Sequence, residues 1–110
     1  MVDSLSKLKG YTPSFFMTIE TTVFTFIISN TFEEWVKMFD SPETTEFHKK
    51  VGLTPLYRGK SLIDPIEVIV IHQAEEGVAK HVFSDPRTIK NIEASGHVYS
   101  TTKITSWVSD

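Results

Sequence analysis

Histidine changes charge near neutral pH, so it can carry protons, and its neutral ring can bind metals. The chain has four: His48, His72, His81 and His97. A helical zinc site needs two histidines at i and i+4 on one face. No pair here has that spacing. With no cysteine in the chain, a zinc–sulfur site and a thiolate nucleophile are both excluded. The residues therefore point to no metal and no cofactor. A histidine remains the best general acid–base group available. His72 closes an apolar run, where it is expected to be partly buried and hydrogen-bonded. Tyr57-Arg58 is the second feature. Arg58 offers a planar fork to a carboxylate, and Tyr57 an amphipathic wall. Neighbouring strand residues point to opposite faces, so only one of the two enters a given pocket. Pairing of Arg58 with a surface acid is the competing reading. Ligand contact is assigned to His48, Tyr57, Arg58 and His72. Gly59-Lys60-Ser61 has the ending of a phosphate loop. However, Thr54 stands where that loop needs its first glycine, and no helix follows. Phosphate binding is excluded there.

These residues must be positioned by two apolar ribbons. Residues 66–72 are almost unbroken β-branched residues, which lose little by being extended. Residues 19–29 have the same character. Apolar residues at both parities predict strands covered on both faces, hence central in their sheet. In the first strand Val23, Thr25 and Ile27 share one face and Phe24, Phe26 and Ile28 the other. Thr31 and Glu34 form a capping box, followed by Phe32, Trp35, Val36 and Phe39 at helical spacing. Ser41 caps a second helix with Pro42 in its first turn, and Gly52 stops it. Residues 53–60 read as a strand, placed at an edge because Pro55 lacks an amide donor. A hairpin loop over 61–65 leads to the central strand. Residues 73–83 read as a helix weakened by Gly77. Ser84-Asp85-Pro86 opens a further helix that ends before Gly96. In the last strand, 97–108, parity puts His97, Tyr99, Lys103 and Trp107 on one face. Val98, Ile104 and Val108 fall on the other. The His97, Tyr99 and Trp107 face suits either a barrel interior or a subunit contact. Aromatic residues commonly anchor interfaces, so Tyr99 and Trp107 are assigned to the contact.

A chain of 110 residues is one domain by length. Residues 1–18 are polar and irregular. They read as a flexible extension with no signal-peptide core, and Met17 is a possible alternative start. The folded domain is expected over 19–110. A net charge of −3 lacks the electrostatic footprint of a nucleic-acid binder. Residues 66–72 hold no aromatic, so only Phe24 and Phe26 imitate a base-stacking platform. No basic cluster suits an anionic membrane, and no apolar run is long enough to span one. Nucleic acid and membrane are thus excluded as partners, and a cytoplasmic location is expected.

The order strand, helices, strand, strand, helices, strand is the ferredoxin-like βαββαβ pattern. It predicts an α+β fold with a four-stranded antiparallel sheet, the first and third strands central and helices on one face. The other, apolar face then needs covering, which a two-fold homodimer does most simply. This arrangement resembles the dimeric α+β barrel superfamily, including antibiotic-biosynthesis-monooxygenase-like and stress-responsive proteins. More narrowly, three segments resemble a small uncharacterised, mainly cyanobacterial family. They are Glu20-Thr21-Thr22-Val23-Phe24-Thr25-Phe26, Phe32-Glu33-Glu34-Trp35 and Gly52-Leu53-Thr54-Pro55-Leu56-Tyr57-Arg58-Gly59. The resemblance continues through Val70-Ile71-His72 to Trp107. It implies the barrel fold, a dimer and often a small-molecule pocket between sheet and helices. It implies no reaction, because fold alone does not carry function. A haem-degrading branch of the superfamily uses Asn, His and Trp. Asn91, His81 and Trp107 are present here as types but in no matching motif, so nothing is carried over. Three functions follow as expectations. The first is a dimer binding a small, mostly apolar ligand. The others are a non-catalytic protein-interaction or stress protein, and a cofactor-independent oxygenase or isomerase.

Overall fold

The computed structural model describes residues 18–109. The extension expected over 1–18, Thr18 apart, and the possible start at Met17 lie outside the described residues. The elements run β1 (Ile19–Ile28), α1 (Phe32–Phe39), α2 (Pro42–Val51), β2 (Thr54–Lys60), β3 (Glu67–Glu75), α3 (Val78–Ser84), α4 (Pro86–Ala94) and β4 (His97–Val108). The sheet order is β2-β3-β1-β4, and every neighbouring pair is antiparallel. The two β-branched ribbons are therefore the central strands, as their apolar parities require.

Local signals set the helix boundaries. Thr31 Oγ1 accepts from Glu34 N at 3.1 Å, and Glu34 Oε1 accepts from Thr31 N at 3.1 Å. The two bonds satisfy amides that a helix start otherwise leaves open. Ser41 caps α2 with Pro42 behind it, and Gly52 ends it at φ 83. Asp85 caps α4 through Arg87 N at 2.9 Å. The buried face of the sheet gathers Phe24, Phe26 and Ile28 from β1 with Val68 and Val70 from β3. Trp35 and Ala79 close over them from the helices. Neighbouring β1 and β3 residues such as Val23, Ile27, Ile69 and Ile71 form the opposite, open face and are only half-buried.

Two expectations are corrected. The segment 73–83 is not one helix: β3 continues through His72 to Glu75, and α3 begins only at Val78. Alternation persists there, with His72 and Ala74 buried and Glu75 exposed. Gly77 takes φ 89 as the N-cap rather than lying within a helix. Its amide donates to Glu20 Oε1 at 2.9 Å, which holds the turn against β1. His72 accordingly sits inside a strand rather than at its end.

The second correction concerns β4. Val98 pairs with Ile27 and Lys103 with Thr25, so Tyr99 to Thr102 stand opposite Phe26 alone. This bulge inverts the alternation. Thr101 Oγ1 donates to Val98 O at 2.6 Å, and Ile27 N donates to the same hydroxyl at 2.9 Å. Thr102 Oγ1 donates to Tyr99 O at 2.7 Å. Side-chain hydroxyls thus replace ladder partners. His97 and Tyr99 consequently face the helices, whereas Trp107, opposite Thr21, lies on the open face. The single shared face expected for the three does not form.

Candidate functional site

Between sheet and helices lies a cavity of about 660 Å³. Its floor is Phe24, Phe26, Val70 and His72, with His97 beside them. Trp35, Phe39 and His48 line one wall, Ala79, Val82 and Phe83 the other. The lining also includes polar residues from the helices, such as Lys37, Glu43 and Asn91, which are exposed. The sequence places these groups by simple means. Period-two alternation turns Phe24, Phe26 and His72 to one face, and the α1 stripe lowers Trp35 and Phe39 onto them.

Three histidines converge on this space. His48, His72 and His97 are all buried, and only His81 is exposed. The rings of His48 and His72 meet edge to face with centroids 5.0 Å apart. Phe24 stands 5.7 Å from His72 on a further side. His97 lies flat on Phe26, with centroids 3.5 Å apart, and its Nε2 meets Thr102 Oγ1 at 2.7 Å. Burial disfavours the charged imidazolium. It pushes His97 down to about 4, and burial together with neighbouring His48 pushes His72 down to about 4. Burial lowers His48 as well. All three rings are therefore neutral at neutral pH. His72 Nδ1 is sealed from water and has no hydrogen-bond partner, unlike the hydrogen-bonded ring expected. Among the described residues, no three histidine or carboxylate side chains come together as a metal site.

The structure thus brings together two of the four residues assigned to ligand contact, His48 and His72. Tyr57 and Arg58 do not line the cavity. Tyr57 is 58% exposed and extends over Gly59 on the open face of the edge strand. Arg58 turns to the helix side and pairs with Asp40: its Nε donates to Oδ1 at 2.9 Å, and its Nη2 contacts Oδ2. This pair holds the Asp40 carboxyl below its ordinary range and is the competing reading of Arg58. Of the aromatic pair assigned to a subunit contact, Tyr99 is turned inward. Its hydroxyl donates to Phe83 O at 3.0 Å, and its ring stacks on Phe83. Trp107 is 62% exposed on the open face. Asn91, His81 and Trp107 do not converge: Asn91 lines the cavity, His81 is exposed and Trp107 is on the other side of the sheet. Sequence reasoning preferred a subunit contact over an interior lining for the face with His97, because it read β4 without the bulge that separates His97 from Trp107.

Fold and cavity together define an α+β protein of ferredoxin-like βαββαβ order. Solved structures of that kind superpose on it. A NIPSNAP family protein from Agrobacterium tumefaciens matches with TM-score 0.58 at 10% identity, over 93% of this chain and 92% of that one. A candidate antibiotic biosynthesis monooxygenase from Nitrosomonas europaea gives 0.52 at 10%, over 91% and 95%. SnoaB of Streptomyces nogalater, a cofactor-independent oxygenase, gives 0.52 at 10%, over 84% and 92%. Such identities establish the fold alone. The chain itself belongs to the family described as a domain of unknown function, DUF3764, whose pattern matches residues 19–109. No curated protein matches it. Among the described residues, no helix is long and apolar enough to cross a membrane.

Proposed function

We propose that this protein is a homodimer that binds a small, mostly apolar molecule in the cavity between sheet and helices. The observation that carries this reading is a cavity of about 660 Å³ walled by aromatic rings with neutral imidazoles at its floor. Ligand sites are typically concave and apolar, with few polar groups, and occupy roughly 300–1,000 Å³. Catalysis without a cofactor is the weaker alternative. A general base works best with a pKa near the working pH, and His72 at about 4 is far below neutrality.

The two tryptophans make the reading testable, since Trp35 lines the cavity and Trp107 lies across the sheet. In a Trp107→Phe variant, naphthalene is expected to quench Trp35 emission saturably. Thr88→Phe, which fills the cavity from α4, should weaken that binding several-fold. Absence of saturable quenching in the unblocked protein would overturn the reading.

The dimer reading draws support from the open sheet face, which Val23, Ile27, Ile69 and Ile71 share with the exposed indole of Trp107. Contiguous apolar surface of this kind marks an interaction face, and a two-fold axis lets one face cover its own copy. Sedimentation is expected to give a dimer, and Trp107→Glu to give monomers, since the substitution buries a charge against that face. A wild-type monomer at micromolar concentration would remove the proposal.

A further inference from the structure

The geometry points to an uncharged ligand whose hydroxyl sits against the His48–His72 pair. This inference rests on the cavity binding an apolar molecule at all. His72 is 6% exposed and belongs to the cavity floor, yet its Nδ1 has no partner. A buried polar atom is ordinarily hydrogen-bonded, and each exception calls for an explanation. The ring of His48 stands beside it, edge to face, with centroids 5.0 Å apart. Two neutral imidazoles each carry one donor and one acceptor nitrogen. A group that answers such a pair in either tautomer must both donate and accept. A hydroxyl does so whichever nitrogen holds the proton; binding then requires the His72 ring to turn until Nδ1, sealed in the free protein, meets that hydroxyl.

Charge narrows the class further. The rings packed around His72 are Phe24, Phe39 and His48, none of which is cationic at neutral pH. Lys37 and Glu43, the charged lining residues, are exposed on the helices and opposite in sign. A carboxylate pressed into this floor would lose its water without gaining a counter-charge, which is far costlier than burying a paired hydroxyl. The aromatic walls suit a flat ring as the body of the molecule. His72 is accordingly the residue that orients the ligand and discriminates against anions.

Naphthalene, naphthol and naphthoate share one ring system and test each part separately. At neutral pH naphthol is expected to bind about tenfold more tightly than naphthalene, the worth of one well-made hydrogen bond to a buried group. Naphthoate should bind more weakly than both. His72→Phe should keep naphthalene binding and erase the preference for naphthol. In the wild-type protein, with isotopically labelled histidine, naphthol should move the imidazole nitrogen resonances of His48 and His72 much further than naphthalene does. That readout decides the matter even where the variant fails to fold. Equal binding of naphthoate and naphthol would overturn the inference. So would a naphthol preference that survives in His72→Phe, or nitrogen resonances that naphthol leaves unmoved. Naphthalene binding with no naphthol preference defeats this inference alone. Failure of all three compounds to bind defeats the cavity reading as well.

Discussion

Acidification from about pH 7 to about pH 5 is expected to remove much of the stability before most carboxylates titrate. The source is the buried histidines. His72 and His97 fall from 6.5 in the open chain to about 4 in the fold. The unfolded chain therefore binds protons between these values while the folded one does not. Their contribution is fully present above pH 6.5 and is lost progressively as pH falls toward about 4. At about 1.4 kcal/mol per pKa unit, each ring is worth roughly 3 kcal/mol. Two together reach the lower end of the ~5–15 kcal/mol that holds a typical domain. Glu20 and Asp40 act in a lower window. Their folded carboxyls lie below the ordinary 4.5 and 3.8, so what they add is present above those values and is lost only beneath them. Urea melts at fixed protein concentration check the expectation. The midpoint should fall steeply below about pH 6.5, and His72→Phe should remove part of that slope. A midpoint unchanged down to about pH 5 would refute it.

The same histidines show what could be read from sequence and what could not. Signals that act over three or four residues were readable. The Thr31–Glu34 box, the Ser41-Pro42 start and Gly52 at the end of α2 stand where spacing puts them. The strand order also followed, since the two β-branched runs demanded cover on both faces. Long-range partners were not readable. Gly77 looks like a weak point within a helix until Glu20, 57 residues earlier, takes its amide. The inversion of β4 depends on Thr101 and Thr102 bonding back to Val98 and Tyr99. Threonine is equally at home in an unbroken strand, so nothing local announced it. For the site, composition suggested histidine chemistry, and His48 and His72 do meet. Their convergence on one cavity with His97 is a product of topology and has no trace in spacing. Arg58 carried a true local signal for a carboxylate, but the carboxylate is Asp40, at the end of α1.

Gly96→Ala is expected to destabilise the fold by about 2–6 kcal/mol, far more than an exposed loop substitution. Two costs combine. Gly96 holds φ 97, a conformation that costs a side-chain-bearing residue about 1–3 kcal/mol. A methyl group there would also overlap the side-chain amide of Asn30. That amide is held by its Nδ2, which donates to Ser95 O at 3.0 Å. Overpacking of this kind adds about 1–3 kcal/mol. The two contributions separate in a double-mutant cycle. Asn30→Ala should relieve the overlap and leave the backbone strain, so Gly96→Ala should cost less in that background than in the wild type. Strict additivity of the two substitutions would disprove the steric part. The consequence reaches the site. Gly96 O accepts from Ser29 N at 2.8 Å, and the next residue is His97, stacked on Phe26 at the cavity wall. A turn displaced by the methyl group would lift that stack and let water reach the imidazole. In Gly96→Ala the pKa of His97, followed by its ring resonances, is therefore expected to rise from about 4 toward the ordinary 6.5. This rise would separate a turn that merely strains the backbone from one that also sets the position of a cavity residue.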